Sequence, residues 1–243
     1  MTHLSVDYGD VHALDDVNLT LQSGKLCALV GVNGSGKSTL LKSILGLVKP
    51  TTGTITIGGL NPARARAAGR IAYVPQNEDV DTTFPISVED IVISGRQRHM
   101  GFLRRPRKAD KNAVDQAIEM VGLTDLRHRQ IGALSGGQRK RAFVARGIAQ
   151  DAQLLLFDEP FAGVDHASEQ TIRTLMRGLA TRNKTLLVAT HDLAGLSTFA
   201  DEALLLAGRV LIHDTPDIVC TPEILAQVFG IVANKSTSNS TEN

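Results

Sequence analysis

The chain has 243 residues, of which 42% are hydrophobic and 21% charged. That mix excludes a wholly disordered polypeptide and supplies apolar material for a core. Lys and Arg number 26 against 25 Asp and Glu, a net charge of +1, so a globally basic nucleic-acid binder is not indicated. No apolar run approaches the roughly 18 residues that a membrane-spanning helix needs. Residues 1–7 show neither the basic nor the apolar segment of a signal peptide. Cys27 and Cys220 are the two cysteines. They make no disulfide framework, as expected in a reducing compartment. Cys27 lies in an apolar run and reads as a small core residue.

In chain order, residues 26–30 (Leu-Cys-Ala-Leu-Val) read as a strand buried on both faces. It runs into a glycine-rich turn. A helix is predicted from Lys37, with Leu40, Leu41, Ile44 and Leu45 on one face and Pro50 past its end. Residues 54–57 (Thr-Ile-Thr-Ile) alternate with period two and read as a strand closed by Gly58-Gly59. From about residue 86 to 146 the pattern turns helical. Ala113, Val114, Ala117, Ile118 and Val121 recur at helical spacing, with Asp110 as the expected N-cap. Strand-like runs return at 154–157, ending in Asp158-Glu159, and at 186–189, ending in Thr190-His191. Ile172, Leu175, Met176 and Leu179 between them describe an amphipathic helix. Strand, helix, strand predicts an α/β fold with a parallel sheet. Residues 202–206, Gly208 and 210–212 predict a hairpin. The polar end, 233–243, is expected to be disordered.

The strongest chemical signal is Gly31-Val32-Asn33-Gly34-Ser35-Gly36-Lys37-Ser38, which fits G-x-x-x-x-G-K-S, the phosphate-binding P-loop. The backbone must bend around phosphate oxygens and aim N–H groups at them, which needs glycine. Gly31, Asn33, Gly34, Ser35, Gly36, Lys37, Ser38 and Thr39 are the candidate phosphate-binding residues. Lys37 would carry charge to the β- and γ-phosphates of ATP. The Ser38 hydroxyl suits Mg²⁺, and the following helix adds its positive end. Asp158 and Glu159 fall at the C-terminal edge of a strand, where ligands bind in open α/β sheets. Asp158 would hold Mg²⁺, and Glu159 would polarise a water for attack on the γ-phosphate. His3, His12, His99, His128, His166 and His213 are scattered, and with Cys27 and Cys220 they show no metal-ligand spacing. No metal beyond Mg²⁺ is therefore expected.

Residues 134–138, Leu-Ser-Gly-Gly-Gln, lie shortly before Asp158-Glu159. At this point the sequence resembles the ATP-binding cassette (ABC) ATPase family, whose signature is LSGGQ. Further motifs follow in the family's order. Gln76 in Tyr73-Val74-Pro75-Gln76 resembles the Q-loop glutamine, which implies a catalytic residue and a further Mg²⁺ contact. His191 resembles the switch histidine, Asp165 the aspartate at the subunit junction, and Tyr8 the aromatic that stacks on adenine. The resemblance spans about residues 3 to 230. It implies a P-loop NTPase core with a parallel sheet, an antiparallel β subdomain and an inserted helical lobe. It places a single ABC ATPase domain at 1–232, with the lobe at about 86–146. Ser135 opens a helix whose Gly136 and Gly137 N–H groups, with Gln138, form a second anion site. In the family, head-to-tail dimers sandwich two ATP between the P-loop of one copy and LSGGQ of the other.

An ABC ATPase without a membrane span implies a separate integral membrane permease, with the ATPase held at the cytoplasmic face. Residues 159–165 (Glu-Pro-Phe-Ala-Gly-Val-Asp) are similar to the form seen in ATPases of manganese, zinc and iron importers. That implies an extracytoplasmic metal-binding protein as an indirect partner. An iron chelate or a vitamin is the alternative cargo. Non-transport ABC proteins acting on DNA or ribosomes carry coiled-coil or zinc-binding insertions, or two cassettes; neither is evident here, and no nucleic-acid partner is expected. Residues 96–111 hold seven Lys or Arg against Asp110 alone. They read as a solvated loop, or as a contact with the permease or an anionic lipid surface.

Overall fold

The computed structural model describes residues 1–76, 85–101, 104–193 and 195–229. It opens with an antiparallel hairpin, β1 (Thr2–Tyr8) and β2 (Val11–Val17). The buried strand follows as β3 (Leu26–Val30), then the glycine-rich turn and α1 (Lys37–Ile44). Next come β4 (Thr52–Thr54), α2 (Pro62–Ala67) and β5 (Ile71–Val74). The helical stretch contains α3 (Val88–Ser94), α4 (Lys108–Met120) and α5 (Gly136–Ala149). The chain then alternates β6 (Leu154–Asp158), α6 (His166–Thr181), β7 (Thr185–Thr190), α7 (Leu196–Phe199) and β8 (Glu202–Ala207). It closes with β9 (Arg209–Asp214), α8 (Pro216–Val219) and α9 (Pro222–Phe229). The polar segment 233–243 and Phe102 lie outside the described residues.

Among the described residues there are two sheets. The larger has the order β5-β6-β7-β3-β8-β9, and the smaller β2-β1-β4. Strands β5, β6, β7, β3 and β8 run parallel; β9 pairs antiparallel with β8. The period-two rule sorts β3 onto two cores. Leu26, Ala28 and Val30 pack with the helical stretch and α6. Cys27 and Leu29 pack with α1 and the smaller sheet. A strand covered on both faces must be apolar throughout, which is why 26–30 carries no polar residue. Burying a side chain such as Leu29 stabilises by about 1.5–3 kcal/mol. On the helical side, α5 lies so close to β5 that a Cβ on Gly147 would sit 3.6 Å from Val74 and 3.8 Å from Ala72. No helix among the described residues is long and apolar enough to cross a membrane.

Two expectations need correction. The strand predicted at 54–57 is instead β4, Thr52–Thr54. It pairs with β1 through Thr2↔Thr54 and Ser5↔Thr52. Beyond it the chain turns inward, burying Ile55, and Ile57 forms only a bridge to Leu60. The alternation therefore reflects one buried side chain and a turn. The N-cap of α4 is Arg107, with extended backbone, rather than Asp110. Asp110 occupies the third helical position and reaches back, accepting from Arg107 N at 3.0 Å. Its other oxygen takes Arg96 Nε at 3.0 Å. Arg96 also donates to Ala149 O at 2.9 Å and is buried. The basic stretch is thus not uniformly solvated: its first residue ties the start of α4 to the end of α5.

Candidate functional site

Three adjacent strands end side by side. In the parallel ladder Val30 faces Thr190, and Asp158 faces Ala189. The loops leaving β3, β6 and β7 therefore start on one sheet edge. They deliver the glycine-rich turn, Glu159 and His191 to a common cleft, as expected at the carboxyl ends of strands in open α/β sheets. The cleft, about 340 Å³, is lined by Val32 to Thr39, Gln76, Asp158, Glu159 and His191, with Val11 to Ala13 from β2.

The turn is shaped to receive a polyanion. Gly36 sits at φ +97°, and a Cβ there would meet Ala13 O at 2.7 Å, so no other residue fits. Gly34 is also at positive φ with open space around it. Ser35 Oγ is buried and has no hydrogen-bond partner among the described residues. Lys37 Nζ donates to Gly31 O at 2.6 Å and Val32 O at 3.2 Å. Burial lowers the Lys37 pKa, opposed by the charges of Glu159 and Asp158. An orphaned hydroxyl, a cation and an open glycine turn ahead of a helix fit a phosphate chain.

The acidic side has its own supports. Tyr73, Leu156 and Asp158 share one sheet face by register. Tyr73 OH donates to Asp158 Oδ2 at 3.2 Å, and Ser38 Oγ to the same oxygen at 3.4 Å. Burial raises the Asp158 pKa, helped by Glu159; Tyr73, Ser38 and Lys37 oppose it. Burial also pushes the Tyr73 phenol up. The hard oxygens of Ser38 and Asp158 form a donor set suited to Mg²⁺.

Glu159 is buried at the end of β6, and its N–H extends the ladder to Ala189 O at 3.0 Å. Its φ of +47° is left-handed, unusual for a side chain of this size. Such conformations persist where the surroundings over-determine them, and they cluster at working sites. The turn aims the carboxylate at His191, whose Nδ1 lies 3.0 Å from Glu159 Oε2. An ionised carboxylate only accepts, so Nδ1 is the donor. Downstream, Arg173 stacks on Phe161 and Phe199 at 4.5 and 5.0 Å and pairs with Glu169 at 2.7 Å. These contacts brace the segment that follows Glu159.

The remaining candidates fall elsewhere. Tyr8 is 49% exposed at the end of β1 and does not line the cleft. Ser135 caps α5, accepting from Gln138 N at 3.2 Å while Gln138 Oε1 accepts from Ser135 N at 3.0 Å. Gly137 lies against the start of α6; a Cβ there would meet Asp165 Oδ2 at 2.9 Å. Asp165 caps α6 by accepting from Ser168 N at 2.9 Å, which lowers its pKa. Ser135, Gly136, Gly137, Gln138 and Asp165 thus gather at two neighbouring helix starts, apart from the cleft lining. Two supporting residues escaped the sequence reading. Tyr73 was visible only as part of a motif. Lys140, which binds the backbone at Gln76, had no local signal.

The family model described as ABC transporter matches residues 14–162. The chain is 48% identical to the chelated iron transport system membrane protein YfeB of Yersinia pestis, over 94% of this chain and 77% of that one. It is 44% identical to the manganese transport system ATP-binding protein MntA of a Synechocystis strain, over 93% and 88%. A solved metal-chelate type ABC transporter in an inward-facing conformation superposes with a TM-score of 0.83 at 31% identity, covering 94% of this chain and 87% of that one. Fold, cleft and sequence relatives agree: the chain belongs to the ABC transporter family and is an ATP-binding ATPase of that family.

Proposed function

We propose that this chain is the ATP-hydrolysing subunit of an importer for a transition-metal cation, with manganese first, and iron or zinc next. It would work from the cytoplasmic face of a membrane through separate permease subunits, supplied by an extracytoplasmic metal-binding protein. The observation that carries this reading is the single cleft joining Lys37, Ser38, Asp158, Glu159 and His191 in a chain so similar to a manganese transport ATP-binding protein. The relative named for chelated iron favours a second reading, in which the cargo is an iron chelate.

In this reading the residues divide the work. Lys37 exchanges its loop carbonyls for β- and γ-phosphate oxygens, and the backbone N–H groups of 34–39 with Ser35 Oγ surround the rest. Mg²⁺ supplies charge neutralisation at those phosphates when bound, and Ser38, Asp158 and Gln76 would hold it. Glu159 accepts a proton from the attacking water as its oxygen bonds to the γ-phosphorus and the bond to the β–γ bridging oxygen breaks. His191 orients that carboxylate through Nδ1, which leaves Nε2 to face a γ-phosphate oxygen. Donors held in place before the reaction stabilise the developing charge. Tyr8 would reach the adenine from the rim. The helix start at Ser135–Gln138, with Asp165 beside it, would meet the ATP held by a second copy, giving a head-to-tail dimer around two nucleotides.

The test is whole-cell manganese, iron and zinc by mass spectrometry in metal-poor medium. Cells relying on wild-type protein are compared with cells carrying Glu159→Gln. A selective fall in one metal is expected and names the cargo. Unchanged levels of all three would overturn the metal reading.

A further inference from the structure

A second cluster of metal-ligating side chains sits away from the nucleotide cleft, toward the start of β3. Cys27 faces Glu202 in the parallel β3/β8 ladder, and His213 faces Leu204 in the β8/β9 ladder. The period-two rule then puts all three on one face of the larger sheet, the face that carries Leu29 and Leu204. His213 Nε2 lies 3.1 Å from Glu202 Oε2. One ligand atom from each of the three falls within 4.8 Å of the others. Cys27 is 1% exposed, whereas the side chains of Glu202 and His213 are 16% and 26% exposed. The sulfur closes the inner end of the cluster, and the outer end opens to solvent. No spacing pattern could reveal it, because the ligands come from three strands.

We propose that Cys27, Glu202 and His213 form a Zn²⁺ site with three protein ligands and a fourth position open to water. A thiolate, an imidazole and a carboxylate are the ligand types that zinc accepts together. Thiolate ligation disfavours Mg²⁺, and the order of divalent affinities places Mn²⁺ well below Zn²⁺ for such a set. Charge suits a divalent ion. One Zn²⁺ cancels one thiolate and one carboxylate, leaving a neutral cluster beneath the sheet. Burial, with Glu202 beside it, pushes the Cys27 thiol up in the metal-free protein, so binding would release the thiol proton. Zinc bond lengths of about 2.0–2.3 Å set ligand separations of roughly 3.3–3.7 Å. Small movements of Glu202 and His213, both of which reach solvent, would widen their 3.1 Å contact slightly and draw the remaining separations, within 4.8 Å, into that range. The ion would cross-link β3, whose far end becomes the phosphate-binding turn, to β8 and β9. This site is independent of the importer reading.

The experiment uses the full chain, reduced and stripped of metal, titrated with Co²⁺ as a spectroscopic substitute for zinc. A thiolate-to-cobalt charge-transfer band in the near ultraviolet is expected, saturating at one equivalent and displaced by Zn²⁺. Cys220→Ser keeps the band; Cys27→Ser loses it. Because a change at buried Cys27 can disturb folding, His213→Gln, at a partly exposed hairpin position, carries the test independently and also loses the band. No band in the wild-type chain would overturn the site. So would a band that survives Cys27→Ser or His213→Gln, or one that disappears with Cys220→Ser.

Discussion

Lys140 holds the backbone of Gln76: its Nζ donates to Gln76 O and to Pro75 O, both at 2.9 Å. Lys140 starts the second turn of α5, the helix that Ser135 caps, and Gln76 lines the nucleotide cleft. One buried ammonium thus joins the signature helix to the far wall of the phosphate site. Gln138 itself does not line the cleft.

Lys140→Met keeps the aliphatic stem and removes the donor. Hydrogen bonds to charged groups contribute about 1.5–3 kcal/mol each, so losing two should cost the fold at least about that much. ATP binding should persist, while turnover falls because Gln76 is no longer held. Denaturant midpoints and steady-state hydrolysis check this. Unchanged turnover in a folded variant would separate Lys140 from the cleft.

Tyr73→Phe removes a donor to Asp158 Oδ2. Burial already raises the Asp158 pKa, and the phenol opposes that rise. Without it the carboxyl protonates at higher pH. Protons then compete better with Mg²⁺ for Asp158, so the acid limb of the pH–hydrolysis profile should move upward, and rescue should come from raising the pH or the Mg²⁺ concentration rather than the ATP concentration. A profile superimposable on wild type would contradict the role of this bond.

Arg96→Ala strands Asp110, which is 2% exposed, without its guanidinium. Breaking one partner of a buried pair costs about 3–5 kcal/mol. The pH dependence has a definite sign. The backbone N–H of Arg107, followed by Arg96, holds the Asp110 pKa below its ordinary value, against the opposing effect of burial. That stabilisation is complete above the unfolded carboxylate pKa, about 3.9, and disappears as pH falls through the lower folded value. Thermal melts of the variant should accordingly show a smaller loss of stability from neutral to acid pH than wild type does.

Lys37→Ala should reduce ATP affinity about tenfold or more, the equivalent of at least about 1.4 kcal/mol. Equilibrium binding of a fluorescent ATP analogue reads this directly. Unchanged affinity would remove Lys37 from the phosphate site.

The parts of the cleft legible in the sequence are those written locally. The turn at 31–38, the apolar run ending in Asp158 and the run ending in Thr190 each combine a periodicity with a terminal motif. What was misread or missed depends on groups distant in sequence. Asp110 looks like an N-cap because its other partner, Arg96, comes from across the lobe. Tyr73 and Lys140 meet Asp158 and Gln76 only after the strands pair and α5 packs. At its left-handed turn Glu159 bonds Ala189 O through its N–H and meets His191 through its carboxylate, both partners coming from a neighbouring strand and its end. Residues 54–57 alternate, yet β4 ends at Thr54 because the chain there leaves the sheet to bury Ile55.

The most direct test of the catalytic reading is Glu159→Gln, measured for ATP hydrolysis and for oligomeric state by light scattering with ATP and Mg²⁺. The amide keeps the shape and loses the base, so turnover should fall about 10²- to 10⁴-fold. ATP binding should persist, and the protein should accumulate as an ATP-dependent dimer. Near wild-type turnover would contradict the assignment of Glu159 as the base. A monomer at saturating ATP would contradict the head-to-tail pairing of the cleft with Ser135–Gln138.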